Sequence, residues 1–406
     1  MRILHTADWH IGQTLNGWSR DAEHALWLEQ LAGVLAEEEI DVLLVAGDVF
    51  DGINPSGEAQ RLLYSALRRF RDVRPRLVTV MIAGNHDPAG RLEAPRAILE
   101  SLDVHVVGSL RRHGTAVDAA AHVIDLPDAS GAVAAHVCAV PFLRAADLPG
   151  LRFEAGEDRG SPVVAAARAL HMELAEAARA IAGPRPLIAL GHLHCQGGTE
   201  SEGAERRILI GGEHAVPPDI FPAAFDYVAL GHLHRPQSLD GGRVRYAGSC
   251  FPLSAAEAGY DHGVTVLELK DGRLEPRHRP LPRPAGMLRL PARGALAIED
   301  LERALEALAL DPDLAPGLRP FVQLELEATA PAPVLIARAE TALAARPLRP
   351  AGLRVRRAEA APEAPPPVSL QDTSPEELFR KAFEKTNGQP PGAAHVAAFR
   401  DAASEV

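Results

Sequence analysis

Short apolar runs and segments with helical spacing alternate along the first two thirds of the chain, and the runs end in clusters of polar residues. Arg2–His5 reads as a strand leading to Asp8 and His10. Asp21–Glu39 has helical spacing through Leu28, Leu31 and Leu35, and Asp41–Ala46 is a continuous apolar run that predicts a buried strand ending at Gly47-Asp48. Gln60–Phe70 predicts a helix, Leu77–Ala83 a strand ending at Gly84-Asn85-His86-Asp87, and Pro95–Leu102 another helix. Val163–Ile181 reads as a soluble amphipathic helix, because Arg168, His171, Glu173 and Glu176 interrupt it too often for a bilayer. Leu187–Leu190 runs into Gly191-His192-Leu193-His194, and Tyr227–Leu230 into Gly231-His232-Leu233-His234. The residues flanking these two exits share little, so they are similar strand ends and not a structural repeat. Alternation of this kind predicts an α/β fold, a layered sandwich.

After Lys270 the polar clusters stop, and the Pro, Arg and Gly of Asp271–Gly286 mark a boundary. A smaller domain is expected beyond it: a strand at Met287–Leu290, a helix at Ile298–Leu308, a strand at Phe321–Glu327, a helix at Val334–Ala345 and a strand at Leu353–Arg357. Ala358–Pro367 is Pro/Ala-rich and reads as an extended linker. Ser374-Pro375-Glu376-Glu377 looks like a capped helix start, with Leu378, Phe379, Ala382 and Phe383 on one face, and a second short helix follows over Gly392–Ala403. The expected organisation is 1–270, 281–359, a linker at 360–372 and a helical segment at 373–406.

With 406 residues, 47% of them apolar, the chain can bury a large core. Its formal net charge of −12 argues against a protein that coats polyanions, since phosphate neutralisation needs clustered cations. Arginines gather at Arg68, Arg69, Arg71, Arg74 and Arg76, and again at Arg273, Arg277, Arg279 and Arg283, where a solvated surface is the plainer reading. Cys138, Cys195 and Cys250 offer no disulfide framework and suit a reducing compartment. With no apolar leader or spanning stretch, a cytoplasmic protein without a membrane segment is expected.

The polar clusters contain the donors that hard divalent cations require: carboxylates, an amide carbonyl and neutral imidazoles. In Asp8-Trp9-His10, residues two apart project together from an extended segment. Asp48 has two oxygens and could bridge two ions, Asn85 adds an uncharged oxygen, and histidines complete the shells. Two cations roughly 3.5–4 Å apart can activate a water and neutralise charge on a phosphoryl group, so the combination points to phosphodiester hydrolysis. His5, His24, His136 and His214 read as core or surface residues, and Cys195 as a small loop side chain.

In order along the chain, Asp-x-His, Gly-Asp-x-x-Asp, Gly-Asn-His-Asp and Gly-His-x-His resemble the calcineurin-like metallophosphoesterase superfamily. The longer stretches HTADWHIGQTLNG, AGDVFDGINPSGEAQRLLY, IAGNHDPAGRLEAPR, FDYVALGHLHRPQ, YAGSCFPLS and SPEELFRKAFEKTNG resemble the SbcD family, nuclease subunits of bacterial SbcC-SbcD DNA-repair complexes. That resemblance implies a four-layer αββα sandwich, a smaller α+β cap domain that helps place DNA, and a C-terminal helical tail. It implies a manganese-dependent nuclease, with magnesium or iron as other candidate metals, acting as a double-strand 3′-5′ exonuclease and a single-strand and hairpin endonuclease in break processing, repair and recombination. Asp8, His10, Asp48 and His234 would hold one manganese, and Asp48, Asn85, His192 and His232 the other, with His192 preferred over His194. His86 would protonate the departing sugar oxygen. Asp51 would orient the His86 ring, or is simply a turn residue before Gly52. Cys250 stands where the family usually has proline. The tail would dock on the coiled coil of the ATPase SbcC through Leu378, Phe379 and Phe383, the alternative being a terminal helix packed on its own domain. A homodimer through Gln60–Phe70 and Leu92–Leu102 is implied, within a heterotetramer of two SbcC and two SbcD chains. Competing readings are a small-molecule phosphodiesterase, which would need neither cap nor tail, and a metal-free scaffold, which would have lost ligands.

Overall fold

Strands that are apolar on both faces need cover on both sides, and here two sheets provide it for each other. The computed structural model describes residues 1–114, 116–148, 161–201, 215–356 and 375–404. His214, the Ala358–Pro367 stretch and the expected cap Ser374 lie outside them. The first sheet runs in the order Arg273–Pro280, Gly263–Lys270, Arg2–Thr6, Val42–Ala46, Val78–Ile82, Val104–Val107. Its last four strands are parallel, and Gly263–Lys270 pairs antiparallel with Arg2–Thr6 on one side and Arg273–Pro280 on the other. The second sheet runs Gln237–Leu239, Val244–Tyr246, Tyr227–Gly231, Leu187–His192, Val133–Ala139, Val123–Pro127, with a parallel centre and antiparallel edges.

Side-chain alternation sorts each strand between two cores. Ile3, Val42, Leu44, Val80 and Ile82 meet Val137, Ile188, Leu190 and Ala229 between the sheets. On the other face of the first sheet, Leu4, Leu43, Val45 and Met81 pack against helices Asp21–Glu37 and Gly57–Val73 through Leu31, Leu35, Leu63, Leu67 and Phe70. Cys138, Ala189 and Val228 take Leu170, Leu174 and Ala178 of helix Pro162–Ala182 on the outer face of the second sheet. The result is four layers, αββα. Among the described residues no helix is long and apolar enough to cross a membrane.

The stretch Asp271–Gly286, read as a boundary, contains the edge strand Arg273–Pro280, paired along its length with Gly263–Lys270. Its charged, largely exposed residues hid it: Arg277 and Arg279 pair with Glu38 and Glu37 of the first helix. The Arg68–Arg76 cluster is likewise internally satisfied, with Arg68 on Asp72, Arg69 on Glu29, Arg71 on Asp103 and Arg74 on Asp41. Pro95–Leu102 is not one helix but a turn of α-helix at Arg96–Leu99 continued as 3₁₀ through Leu102, closed by left-handed Asp103. Ile298–Leu308 is shorter than expected, a 3₁₀ turn leading into Leu301–Glu306.

Met287–Leu290, Phe321–Glu327 and Arg349–Arg356 form a third sheet. All three strands are parallel, connected through Leu301–Glu306 and Ala332–Ala344, over a core of Leu305, Leu324, Leu335 and Leu343. The α+β expectation thus takes the form of a β-α-β-α-β unit. Buried Glu23 accepts from Arg20 at 2.6 Å and forms an ion pair with Arg349 of this sheet at 2.9 Å, and the Arg349 guanidinium lies 3.8 Å over Phe321. The tail is a separate unit of two helices, Pro375–Asn387 and Ala393–Ser404. Within it Phe379 stacks on Phe399 at 4.6 Å, and Phe383 packs on His395.

Candidate metal centre

Five strand ends deliver the proposed donors: Arg2–Thr6 leads to Asp8 and His10, Val42–Ala46 to Asp48, Val78–Ile82 to Asn85 and His86, Leu187–His192 ends on His192, and Tyr227–Gly231 leads to His232 and His234. The loops are pinned to each other by main-chain bonds. Asp8 N donates to Gly47 O at 3.0 Å and His10 N to Asp48 O at 2.9 Å. Asp8 accepts His232 N at both carboxylate oxygens, at 3.0 and 3.1 Å, which ties the first strand exit to the last. Close approach depends on glycine: a Cβ at Gly84 would collide with the Asp48 carboxylate and main-chain nitrogen, and one at Gly231 with the Ala46 carbonyl.

Four proposed ligands have positive φ without being glycine: Asp8 at 52°, His10 at 47°, Asp48 at 49° and His232 at 98°. Such conformations cost roughly 1–3 kcal/mol each and persist where the surrounding structure over-determines them. Here the strain turns side chains of successive loops towards one another. Asp8, His10 and His234 offer ligand atoms within 4.8 Å of one another, as do His10, Asp48 and His86, and Asp8, Asp48 and His192. Asp8, His10 and Asp48 each belong to two of these groups, which ties the three groups into one cluster. Asn85 Oδ1 lies 2.9 Å from His192 Nε2 and 3.3 Å from His232 Nδ1, so the amide joins the same cluster.

The rings of His10, His86, His192 and His234 are held from behind. His192 Nδ1 meets Ala46 O at 2.8 Å and aims Nε2 at Asn85 and Asp48, whereas His194 pairs with Glu200 at 3.1 Å. His234 Nδ1 meets Glu257 Oε1 at 2.9 Å. The Asp51 carboxylate faces His10 Nδ1 at 3.2 Å, while it is the Asp51 main-chain carbonyl that takes His86 Nδ1 at 2.8 Å. The carboxylate thus braces a proposed ligand, and the backbone orients the expected acid.

Buried charge sets the electrostatics. Burial pushes Asp8 up, with histidines on three sides opposing it. For Asp48 burial acts the same way, but His192 and His10 outweigh it and hold the carboxyl below its ordinary range. Burial pushes His192 down, yet Asp48 and Asp8 hold it up at about 9. His232 goes the other way: burial and the adjacent His192 drive it well below its usual value. The cluster therefore needs positive charge, which protons on imidazole supply only in part. His10 Nε2 is buried without a hydrogen-bond partner among the described residues, 3.6 Å from Asp48. Two carboxylates, a neutral amide oxygen and an unpartnered imidazole nitrogen fit divalent cations of the hard to borderline kind.

Two residues of this site were missed from the sequence. Asp87, beside the ligands, accepts from Val49, Phe50 and Gly84 main-chain nitrogens and locks the second loop to the third; burial and neighbouring Asp48 push it up to about 6. Glu257 is fully buried behind His234 and also receives Leu253 N at 2.9 Å. Burial raises it, but His234 outweighs burial and keeps it low. The Gly-Asn-His-Asp motif could have pointed to Asp87; nothing local marks Glu257. His5, His24 and His136 are buried away from these groupings, His5 on Tyr227 and Leu230, His24 on Arg20 and Trp9 carbonyls, and His136 beside Asp125.

A family model described as calcineurin-like phosphoesterase matches residues 1–236, and one described as type 5 capsule protein repressor C-terminal domain matches 283–387. The chain belongs to the calcineurin-like phosphoesterase family. Membership, with the donor set above, makes it a phosphoester hydrolase that uses divalent metal. Within that class it is 59% identical over 384 residues to the SbcD subunit of the SbcCD nuclease of Rhodobacter capsulatus, covering 94% of each chain. It is 37% identical to the SbcD subunits from Bacillus subtilis, covering 67% of each chain, and from Escherichia coli K12, covering 68% of this chain and 66% of that one.

Proposed function

We propose that the chain is a two-metal DNA nuclease, preferring manganese and working with an SbcC-type ATPase on double-strand ends and hairpins. The observation that carries this reading is the convergence of Asp8, His10, Asp48, Asn85, His192, His232 and His234, with His10 Nε2 buried and lacking a hydrogen-bond partner among the described residues. Asp8, His10, Asp48 and His234 would hold one cation, and Asp48, Asn85, His192 and His232 the other. Bound there, two cations supply an activated water and neutralise the charge that builds on phosphorus. Asn85 contributes an oxygen without charge, so the pocket does not repel a phosphodiester more than it must. Asp8 stays fixed through the His232 main chain, which keeps its oxygens where a cation would meet them.

His86 is assigned as the acid. Its main-chain N is anchored on Asp48 at 2.8 Å and its Nδ1 on the Asp51 carbonyl, so the proton to be donated sits on Nε2. His86 also lies within ligand range of His10 and Asp48, so metal occupancy and proton donation have to be measured separately in its variants. For the partner, Leu378, Phe379 and Phe383 of the tail suit a helix laid in a groove. For dimerisation, Ile98 within the Leu92–Leu102 segment is 71% exposed, an apolar side chain open to a contact between copies.

The test is cleavage of end-labelled duplex, hairpin and single-stranded DNA by the full chain with manganese, with and without the ATPase and ATP. Cleavage abolished by EDTA, restored by manganese and lost in Asp48→Asn is expected. Hydrolysis of a cyclic nucleotide with no DNA cleavage under any of these conditions would replace the reading by that of a small-molecule phosphodiesterase.

A further inference from the structure

Next to the metal centre the chain carries a second, cationic pocket that the donor set does not use. A cavity of about 500 Å³ is lined by Arg235, Arg245, Tyr260, Asp261 and His278, with Pro236 and Gly259. Arg235 directly follows the proposed ligand His234 and is exposed, with its guanidinium 5.6 Å from the Tyr260 ring centroid. Arg245 is half-buried on Val244–Tyr246, the strand next to the edge of the second sheet, and donates Nε to Thr265 Oγ1 of the first sheet at 3.0 Å. Neither guanidinium has a carboxylate within ion-pair distance among the described residues, in a chain where Arg68, Arg69, Arg71, Arg74, Arg277 and Arg279 all do.

His278 forms the inner wall. Its ring nitrogens are shielded from solvent, and Nε2 is 3.6 Å from Asp261, the one acid among the lining residues. The opposite wall is continuous with the metal site: Tyr260 N donates to Glu257 O at 3.0 Å, and the Glu257 carboxylate holds His234. Two guanidiniums without a carboxylate partner among the described residues, a half-buried imidazole and an aromatic face make a pocket for a tetrahedral oxyanion, because arginine presents forked donors to phosphate and the cavity exceeds the size of that group. In a protein of net charge −12 this local surplus of cation would draw a polyanion to the edge of the metal centre.

We propose that the Arg235–Arg245–His278 pocket binds a non-scissile phosphate of the nucleic-acid strand and so sets its register over the metal centre. This rests on the DNA reading above. An acidic peptide could offer the same charge, but continuity with His234 and Glu257 favours the strand being cut.

The test compares two substrates on the same manganese-loaded, full-length preparation: a duplex of about 30 base pairs, long enough to cover both pockets, and bis(p-nitrophenyl) phosphate, which is too small to reach the second one. Arg235→Ala and, independently, His278→Ala are each expected to lower kcat/KM for duplex about tenfold relative to the small diester, and Arg235→Ala to reduce the salt slope of DNA binding by about 1. A parallel change on both substrates, or no change in either ratio or slope, overturns the proposal. A second arm separates it from the DNA reading: inorganic phosphate titrated into the metal-stripped full chain should raise the melting temperature of wild type and not of Arg235→Ala. Phosphate stabilising both equally rejects the pocket. If that stabilisation depends on Arg235 while wild type cuts only the small diester, the pocket stands as an oxyanion site and the DNA reading fails. An acidic peptide protecting the protein in an Arg235-dependent way where duplex does not would reassign the pocket to a protein partner.

Discussion

Replacing Glu257 by glutamine tests whether the centre depends on a residue that could not be a ligand. One Glu257 oxygen receives His234 Nδ1 and the other Leu253 N, both at 2.9 Å, in a fully buried position. Glutamine fits the same space but has only one acceptor oxygen, so its NH₂ must face one of the two donors. If it faces Leu253, a buried donor is left unsatisfied, at about 1–3 kcal/mol of stability. If it faces His234, the ring loses the bond that aims its other nitrogen into the pocket. Loss of such a support lowers metal affinity about 10–100-fold. Manganese titration of the folded variant, followed by the electron paramagnetic resonance of free Mn²⁺ and by turnover, should show weaker binding at one site and recovery of most of the turnover when manganese is saturating. An isotherm superimposable on that of wild type, in a protein with native circular dichroism, would refute the reasoning.

His86→Ala is expected to keep its manganese and lose about 10²–10⁴-fold in turnover, checked by elemental analysis alongside kinetics; lost metal would make His86 a ligand instead. Gly231→Ala should unfold the protein or empty the site, since its Cβ collides with the Ala46 carbonyl, with thermal denaturation and metal content as the readouts. His171, buried on Ala167 O and edge-on to Phe221, is pushed by burial from 6.5 to about 4. The unfolded chain therefore binds the extra proton first, so roughly 3 kcal/mol of stability present above pH 6.5 is lost as pH falls towards 4. Urea denaturation across that range should show a shallower pH dependence for His171→Phe than for wild type, and identical slopes would contradict the assignment.

What the sequence made legible was the part written in local pattern. Val42–Ala46 and Val78–Ile82 are unbroken apolar runs, and a polar residue just after such a run has little choice but to sit at a sheet edge. The strand Val123–Pro127 is hard to read because mixed burial weakens its alternation, Val133–Ala139 because small alanines and His136 weaken the apolar signal of a mostly buried run, and Arg273–Pro280 because its charged residues are satisfied by a helix far away in sequence. The left-handed backbone at Asp8, His10, Asp48 and His232 has no sequence signature in residues other than glycine, although it is what turns those side chains inward. Asp51 was legible as a residue of the site but not in its part, since whether a carboxylate or a carbonyl faces His86 is decided by the loop's path. Glu257 acts across 23 residues on a histidine, a relation that only the folded chain creates.

The proposed function requires that residues from five strand ends gather a pair of cations. Anomalous diffraction at the manganese edge, from crystals of the full chain grown with excess Mn²⁺, measures that directly. Two peaks roughly 3.5–4 Å apart, one contacting Asp8, His10 and His234 and the other Asn85, His192 and His232, with Asp48 touching both, are predicted. No peak in that pocket, with manganese bound elsewhere on the molecule, would contradict it.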